Sequence, residues 1–283
     1  MGLPVSRGLR DNHVTVCSAQ KIWKYSTLIT LAVILSYGIL LSTALRFRGL
    51  RNVSTPVPSR GGSVTRPSQI TVIGATGGTG KAIVAEALER GFRVIAFVRD
   101  PSKLAVRHPN LSIVRGDLLD PDSIAAALPG SGAVLSALGH RNYFSLAWLH
   151  TRGTENLVRA MESAGVSRFI CETSIGLGDS AGRCGLIYTF FLLPFVLPIY
   201  FWDKGGQERK IGGSSLEWTI VRPVGLSNGP SSGAIRHGAG IGSFLLPPRI
   251  PRAAVAGFML DQLETDIYLR RTPGVSAHPG STI

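Results

Sequence analysis

The chain has 283 residues, of which 44% are apolar and 17% charged, and a formal net charge of +13. This composition excludes a wholly disordered protein, and the length admits one good-sized core plus an appendage. Residues 1–66 carry +8 of the charge and residues 67–283 only +5. Basic residues flanking an apolar segment fit membrane topology and anionic lipid better than DNA, so no nucleic-acid partner is expected. Cys17, Cys171 and Cys184 are too few and too irregularly spaced for a disulfide framework or a zinc site. The histidines form no ligating pair, so no metal is expected and a reducing compartment is the default.

Residues 1–24 read as a polar N-terminal segment. Residues 25–45 (YSTLITLAVILSYGILLSTAL) are 21 residues without a charge, bracketed by Lys21 and Lys24 before and Arg46, Arg48 and Arg51 after. As a helix they would measure about 31 Å, the thickness of a bilayer core. A cleaved signal peptide or an import segment is the alternative, but the run exceeds a signal core and no small-residue cleavage site follows. A single-pass transmembrane helix through residues 25–45 is therefore expected, and the denser basic charge behind it favours a cytosolic domain. Residues 46–68, rich in Ser, Pro and Gly, have the composition of an extended linker.

Residues 70–81, ITVIGATGGTGK, read as a strand, a tight turn with Gly74, Gly77 and Gly80, and the start of a helix. Glycines let the backbone turn sharply and approach a pyrophosphate, whose charge meets the free N–H groups and positive end of the helix. Residues 82–88 carry apolar positions at helical spacing, Gly91 closes the helix, and residues 93–98 (RVIAFV) form a second strand. Next come Arg99, Asp100, Ser102 and Lys103, where a carboxylate would bond the ribose of NAD or cations would take the 2′-phosphate of NADP. The cations favour NADPH over NADH, while Asp100 keeps NAD open.

Further strands are expected at 111–114, 133–138, 168–173 and 218–221, with helices at 122–127, 154–164 and near 253–263. Alternating strands and helices predict a Rossmann-type, doubly wound parallel α/β sheet over residues 69–270, with ligands at the carboxyl ends of the strands. Residues 271–283 read as a disordered tail.

In their order and spacing, VIGATGGTGKAIVAEAL, VIAFVRDPSKL, VRGDLLDPDSI, LSALGHRN, GTENLVRAMESAGVSRFICETS, DKGGQERKI, LEWTIVRP and RIPRAAVAGFML resemble the atypical short-chain dehydrogenases/reductases with an NAD(P)H-binding, NmrA-like domain, close to the flavin reductase/biliverdin reductase B group. The resemblance implies that Thr76, Gly77, Gly78 and Thr79 line the pyrophosphate and that Arg99, Ser102 and Lys103 hold the 2′-phosphate. It places Asp117 and Leu118 beside the adenine, Leu138, Gly139 and Arg141 along the cofactor, and Thr173, Ser174 and Pro223 near the nicotinamide.

In short-chain dehydrogenases a tyrosine protonates the carbonyl, a lysine four residues on tunes it, and a serine orients the substrate. Tyr200, Lys204 and Ser174 match that pattern, with Tyr200 and Lys204 on one face if the segment is helical. The atypical group usually lacks a strict Tyr–Lys pair, and Pro194 and Pro198 leave the helix itself open. In the other reading, hydride passes directly to a flavin, quinone or similar acceptor with protons from solvent, Lys204 binds cofactor or structures the site, and Glu208, four residues on, can pair with it. Residues 186–202 (LIYTFFLLPFVLPIYFW) are apolar but interrupted by prolines, and read either as a lid over the site for a hydrophobic substrate or as a segment buried against the sheet. The expected protein is a membrane-anchored NAD(P)H-dependent oxidoreductase with a hydrophobic small-molecule substrate. The alternative is an NmrA-like redox sensor that holds NAD(P) without turnover and contacts a protein partner.

Overall fold

The computed structural model describes residues 10–49, 66–139, 147–229, 233–246 and 249–278. Arg141 and most of the expected linker lie outside these residues.

Helix α1 (Arg10–Arg48) is longer than the expected span and takes in Arg46 and Arg48 as its last turn. The hydroxyls of Thr27, Thr30 and Thr43 are bonded back into the helix, to the carbonyls of Trp23, Ser26 and Ile39, which satisfies these three without water. Ser26–Arg48 is long and apolar enough to cross a membrane.

The domain opens with β1 (Gln69–Ile73), α2 (Gly78–Glu89) and β2 (Arg93–Val98). Gly74 takes φ +76° at the turn, and Gly91, at φ +80°, ends α2 as expected. Strand β3 (Leu111–Arg115) leads to α3 (Pro121–Ala125), where the Asp120 side chain accepts from Asp122 N. Strand β4 (Ala133–Ser136), α4 (Leu149–Ser163) and β5 (Arg168–Glu172) follow. A π-helical turn, Tyr188–Leu192, and the short α5 (Leu193–Phe195) precede α6 (Pro198–Gly212). The chain ends with β6 (Glu217–Pro223), β7 (Gly225–Ser227), β8 (Ile235–Gly238), β9 (Arg249–Pro251), α7 (Arg252–Asp261) and β10 (Gly274–Ala277).

The main sheet runs β3-β2-β1-β4-β5-β6-β10-β8, a doubly wound order. All its pairs are parallel except β10 with β8. Alternation along the strands divides the core. Ile70, Val72, Leu135 and Ile170 pack on the side of α2 and α7, while Ile73, Val134, Phe169 and Ile220 face α3, α4 and α6.

The disordered tail expected from residue 271 is corrected by β10, whose Val275 is fully buried between Pro223 and His237. A short segment without periodicity carries no strand signal, and its partners supply the order. A third apolar cluster joins Leu45 of α1 to Leu177, Leu193, Leu197 and Phe201. The inserted segment 186–202 thus packs partly on α1, and Ile187, Phe191, Leu192, Phe195 and Val196 remain exposed.

Candidate functional site

A cleft of ≈1130 Å³ opens at the carboxyl ends of β1, β2, β4 and β5. Its floor is the glycine turn. Gly77 is the N-cap of α2 without a side-chain cap, so the first-turn N–H groups face the cleft. Gly74, Thr76, Gly77, Gly78 and Thr79 all line it. Gly80 does not. A Cβ there would meet Gly74 O at 2.0 Å, so this glycine serves close packing of helix on strand.

At the adenosine end, Arg99, Lys103, Asp117 and Leu118 line the cleft. Asp100 accepts from the Ser102 N and Oγ, at 3.1 and 2.6 Å, and its other oxygen lies 3.3 Å from Lys103 Nζ. Ser102 is held by that turn and is not among the lining residues, which leaves Arg99 and Lys103 as the cations facing the cleft there. These bonds, led by the Ser102 hydroxyl, hold the Asp100 carboxyl below its ordinary range.

At the other end Leu138, Gly139, Thr173, Tyr200 and Lys204 line the cleft. Pro198 occupies the first turn of α6, where its missing N–H costs nothing, and Tyr200 is helical. Tyr200 and Lys204 share a face, with the ammonium 5.9 Å from the ring centroid. Lys204 Nζ donates to Leu138 O at 3.0 Å and Glu172 O at 3.2 Å. The expected Lys204–Glu208 pair does not form. Glu208 instead takes a two-point fork from Arg222 and a bond from the Thr173 hydroxyl, because Arg222 at the end of β6 faces it inside the core. Ser174 and Pro223 are not lining residues. Ser174 follows Thr173 past the end of β5, and the Pro223 carbonyl accepts from Ile175 N in the turn beyond it.

Three polar residues that sequence reasoning assigned no role, Glu172, Asn228 and Arg252, also line the cleft. Glu172, the last residue of β5, accepts from the Thr79 hydroxyl at 3.1 Å. Burial pushes its carboxyl up, against the pull of the Lys204 ammonium, the Thr79 bond and Arg252. Arg252, at the start of α7, lies against the glycine turn, since a Cβ on Gly78 would meet its Cδ and Nε at 2.7 Å. Its Nη1 donates to Asn228 Oδ1 at 2.6 Å. Glu172 and Arg252 both stand inside motifs that carry the resemblance, but no spacing rule marks either, and Asn228 sits in an unpatterned loop.

Behind Tyr200, the Asp203 carboxylate of α6 accepts from His150 N, His150 Nδ1 and Thr151 N, each at 2.9 Å, and so caps α4 from another helix. Burial alone would push this carboxyl up, but the His150 and Thr151 bonds outweigh it and hold it down at about 2. The His150 ring meets the Tyr200 ring edge-on at 5.2 Å. Burial pushes the Cys171 and Cys184 thiols up to about 12, so neither supplies a thiolate.

The lining suits a dinucleotide: uncapped helix N–H groups and a glycine cradle at the centre, with Lys81, Arg99, Lys103 and Arg252 around it. Comparison with known proteins agrees. A family model described as NAD(P)H-binding matches residues 74–266. An uncharacterised chloroplastic protein of Arabidopsis thaliana is 36% identical over 181 residues, covering 61% of this chain and 64% of that protein. A 3β-hydroxysteroid dehydrogenase/Δ5→4-isomerase of Mycobacterium tuberculosis is 34% identical over 121 residues, covering 39% of this chain and 32% of that protein. The chain thus spans less than two thirds of either relative. Among solved structures, a short-chain dehydrogenase/reductase of Veillonella parvula in complex with NADP superposes with a TM-score of 0.65 at 18% identity, covering 77% of this chain and 98% of that one. With the family match over more than half of its length and a glycine turn on the floor of its cleft, the chain belongs to the NAD(P)H-binding family, on the fold of the atypical short-chain dehydrogenases/reductases.

Proposed function

We propose that the protein is a membrane-anchored oxidoreductase that prefers NADPH to NADH and reduces a hydrophobic small molecule, flavin or quinone. The observation that carries this reading is that α6 delivers Tyr200 and Lys204 into the same cleft as the glycine turn and its cations. A nicotinamide dinucleotide bound there supplies a hydride. Arg99 and Lys103 would hold the 2′-phosphate, the α2 N-terminus and Arg252 the pyrophosphate, and Thr173 and Leu138 would flank the ring. The Tyr200 hydroxyl would donate a proton to a carbonyl oxygen, while the carbonyls of Leu138 and Glu172 fix the Lys204 ammonium below it. The steroid-acting relative supports an apolar substrate, and the Ser26–Arg48 segment supports anchoring.

Flanking charge favours a cytosolic domain, whereas the chloroplastic relative supports a plastid membrane; fractionation with protease protection separates the two. A second reading, a redox sensor that contacts a protein partner, draws on Ser174 standing outside the cleft lining and on Lys204 being bonded to backbone.

The test is NADPH and NADH titration by fluorescence, followed by NADPH oxidation with flavins, quinones and apolar carbonyl compounds. Because Leu45 belongs to a core cluster, the full chain in detergent is the material to use. Turnover lost in Tyr200→Phe with NADPH affinity kept supports the reductase with tyrosine as acid. Unchanged turnover in that variant leaves direct hydride transfer, and tight binding without turnover on any acceptor favours the sensor.

A further inference from the structure

The inserted segment that follows β5 and runs into the start of α6 has its own relation to α1. Residues 186–202 contain no charged side chain. They pack along the second half of α1: Phe190 against Gly38, where an added Cβ would meet the Phe190 ring at 2.5 Å, and Phe195 against Tyr37, with ring centroids 5.8 Å apart. Leu193, Leu197 and Phe201 close around Leu45. At the end of the helix the Arg48 guanidinium lies 3.9 Å from the Trp202 ring centroid and its Nε donates to Trp202 O. Phe190 also meets Phe244 edge-on, which ties in the loop carrying Leu245 and Leu246.

This packing sets a depth. Gly38 stands ten residues before Arg48, about 15 Å along a helix axis and half of a hydrocarbon core about 30 Å thick. If Arg46, Arg48 and Trp202 mark the interface, as basic residues and tryptophan do at membrane surfaces, the segment packed beside Gly38 lies within one leaflet. Its outer side has the composition for that: Ile187 is 71% exposed, Phe191 44%, Leu245 65% and Leu246 77%. In water these side chains would form one apolar patch with the bare flank of α1.

We infer that residues 186–202 and the Phe244–Leu246 loop are embedded in the lipid leaflet next to α1, so that the cleft draws its apolar substrate from the bilayer rather than from water. Tyr200 connects the two regions, lining the cleft and packing against the apolar cluster around Leu45. A hydrophobic molecule leaving the leaflet along the inserted segment meets the Tyr200 side chain first. The inference rests on the anchored reading of α1, and the experiment separates the two.

The test uses the full chain in phosphatidylcholine nanodiscs, with Cys17→Ser as background and one bimane label each at Leu31→Cys, Phe191→Cys, Leu245→Cys and Glu89→Cys. All four native side chains are exposed, so the labels leave the core in place. Nitroxides on the lipid acyl chains are expected to remove most of the emission at positions 31, 191 and 245 and none at 89. Quenching at 31 alone would overturn the embedded segment while leaving α1 as an anchor. No quenching at any position would remove both readings. Labels at 191 and 245 shielded from aqueous iodide yet insensitive to lipid nitroxides would show a protein partner or a second copy on this face, and would overturn the inference.

Discussion

Replacing Arg222 with Met removes the brace that holds α6 on the sheet. The Arg222 side chain is 1% exposed and that of Glu208 0%. Nε and Nη2 reach the two carboxylate oxygens at 2.9 and 2.6 Å, and Nη1 reaches Asp179 at 2.5 Å. Glu208 keeps the Thr173 hydroxyl in the variant but loses the Arg222 guanidinium in a site without water exposure. Breaking a buried pair from one side costs about 3–5 kcal/mol, whereas replacing both charges with packed apolar groups is close to neutral. Asp179 is about one-third exposed and adds little. For a domain of this size each kcal/mol moves the melting temperature by about 2–4 °C, so Arg222→Met is expected to lower it by about 10 °C in thermal unfolding of the full chain in detergent. Arg222→Met with Glu208→Met is expected to recover most of that loss. A single variant within about 1 kcal/mol of wild type, or a double variant as unstable as the single, would refute the account of a buried ion pair broken from one side.

Arg99→Ala should weaken NADPH binding by roughly 10- to 100-fold and leave NADH binding nearly unchanged, since a lost charge-assisted bond is worth about 1.5–3 kcal/mol. Arg252→Ala, by contrast, should weaken both nucleotides alike, because it faces the glycine turn and not the 2′-phosphate end; paired fluorescence titrations distinguish the patterns. Gly80→Ala places a Cβ 2.0 Å from Gly74 O and should abolish nucleotide binding together with a clear drop in melting temperature. Asp203 is held down at about 2, so its stabilisation is complete above the ordinary carboxylate range and is lost as pH falls toward 2. Asp203→Asn should lower stability at neutral pH and flatten the acid limb of melting temperature against pH; an unchanged limb would assign the acid transition to other groups.

The order of strands and helices, the glycine turn and the cations after β2 were legible in the sequence because each is a local matter. A strand buried on both faces needs a continuous apolar run, a turn against a helix needs glycines, and the first turn after β2 stands at the cleft in any doubly wound sheet. Helix α4 shows where that reasoning stops. It begins at Leu149 rather than near Thr154, because its first N–H groups are capped by Asp203, 53 residues further on. Likewise Glu208 is paired with Arg222 rather than with its helical neighbour Lys204, β10 finds order only between β6 and β8, and Arg252 reaches the glycine turn from the last helix. The inserted segment is the largest such case, since its apolar composition fits a buried element or a lid equally and only its packing along α1 decides which side faces out. Local chemistry sets the elements and the ligand-facing turn, whereas partners supplied across the fold decide which charges are neutralised, which helix ends are capped and which apolar surface is left uncovered.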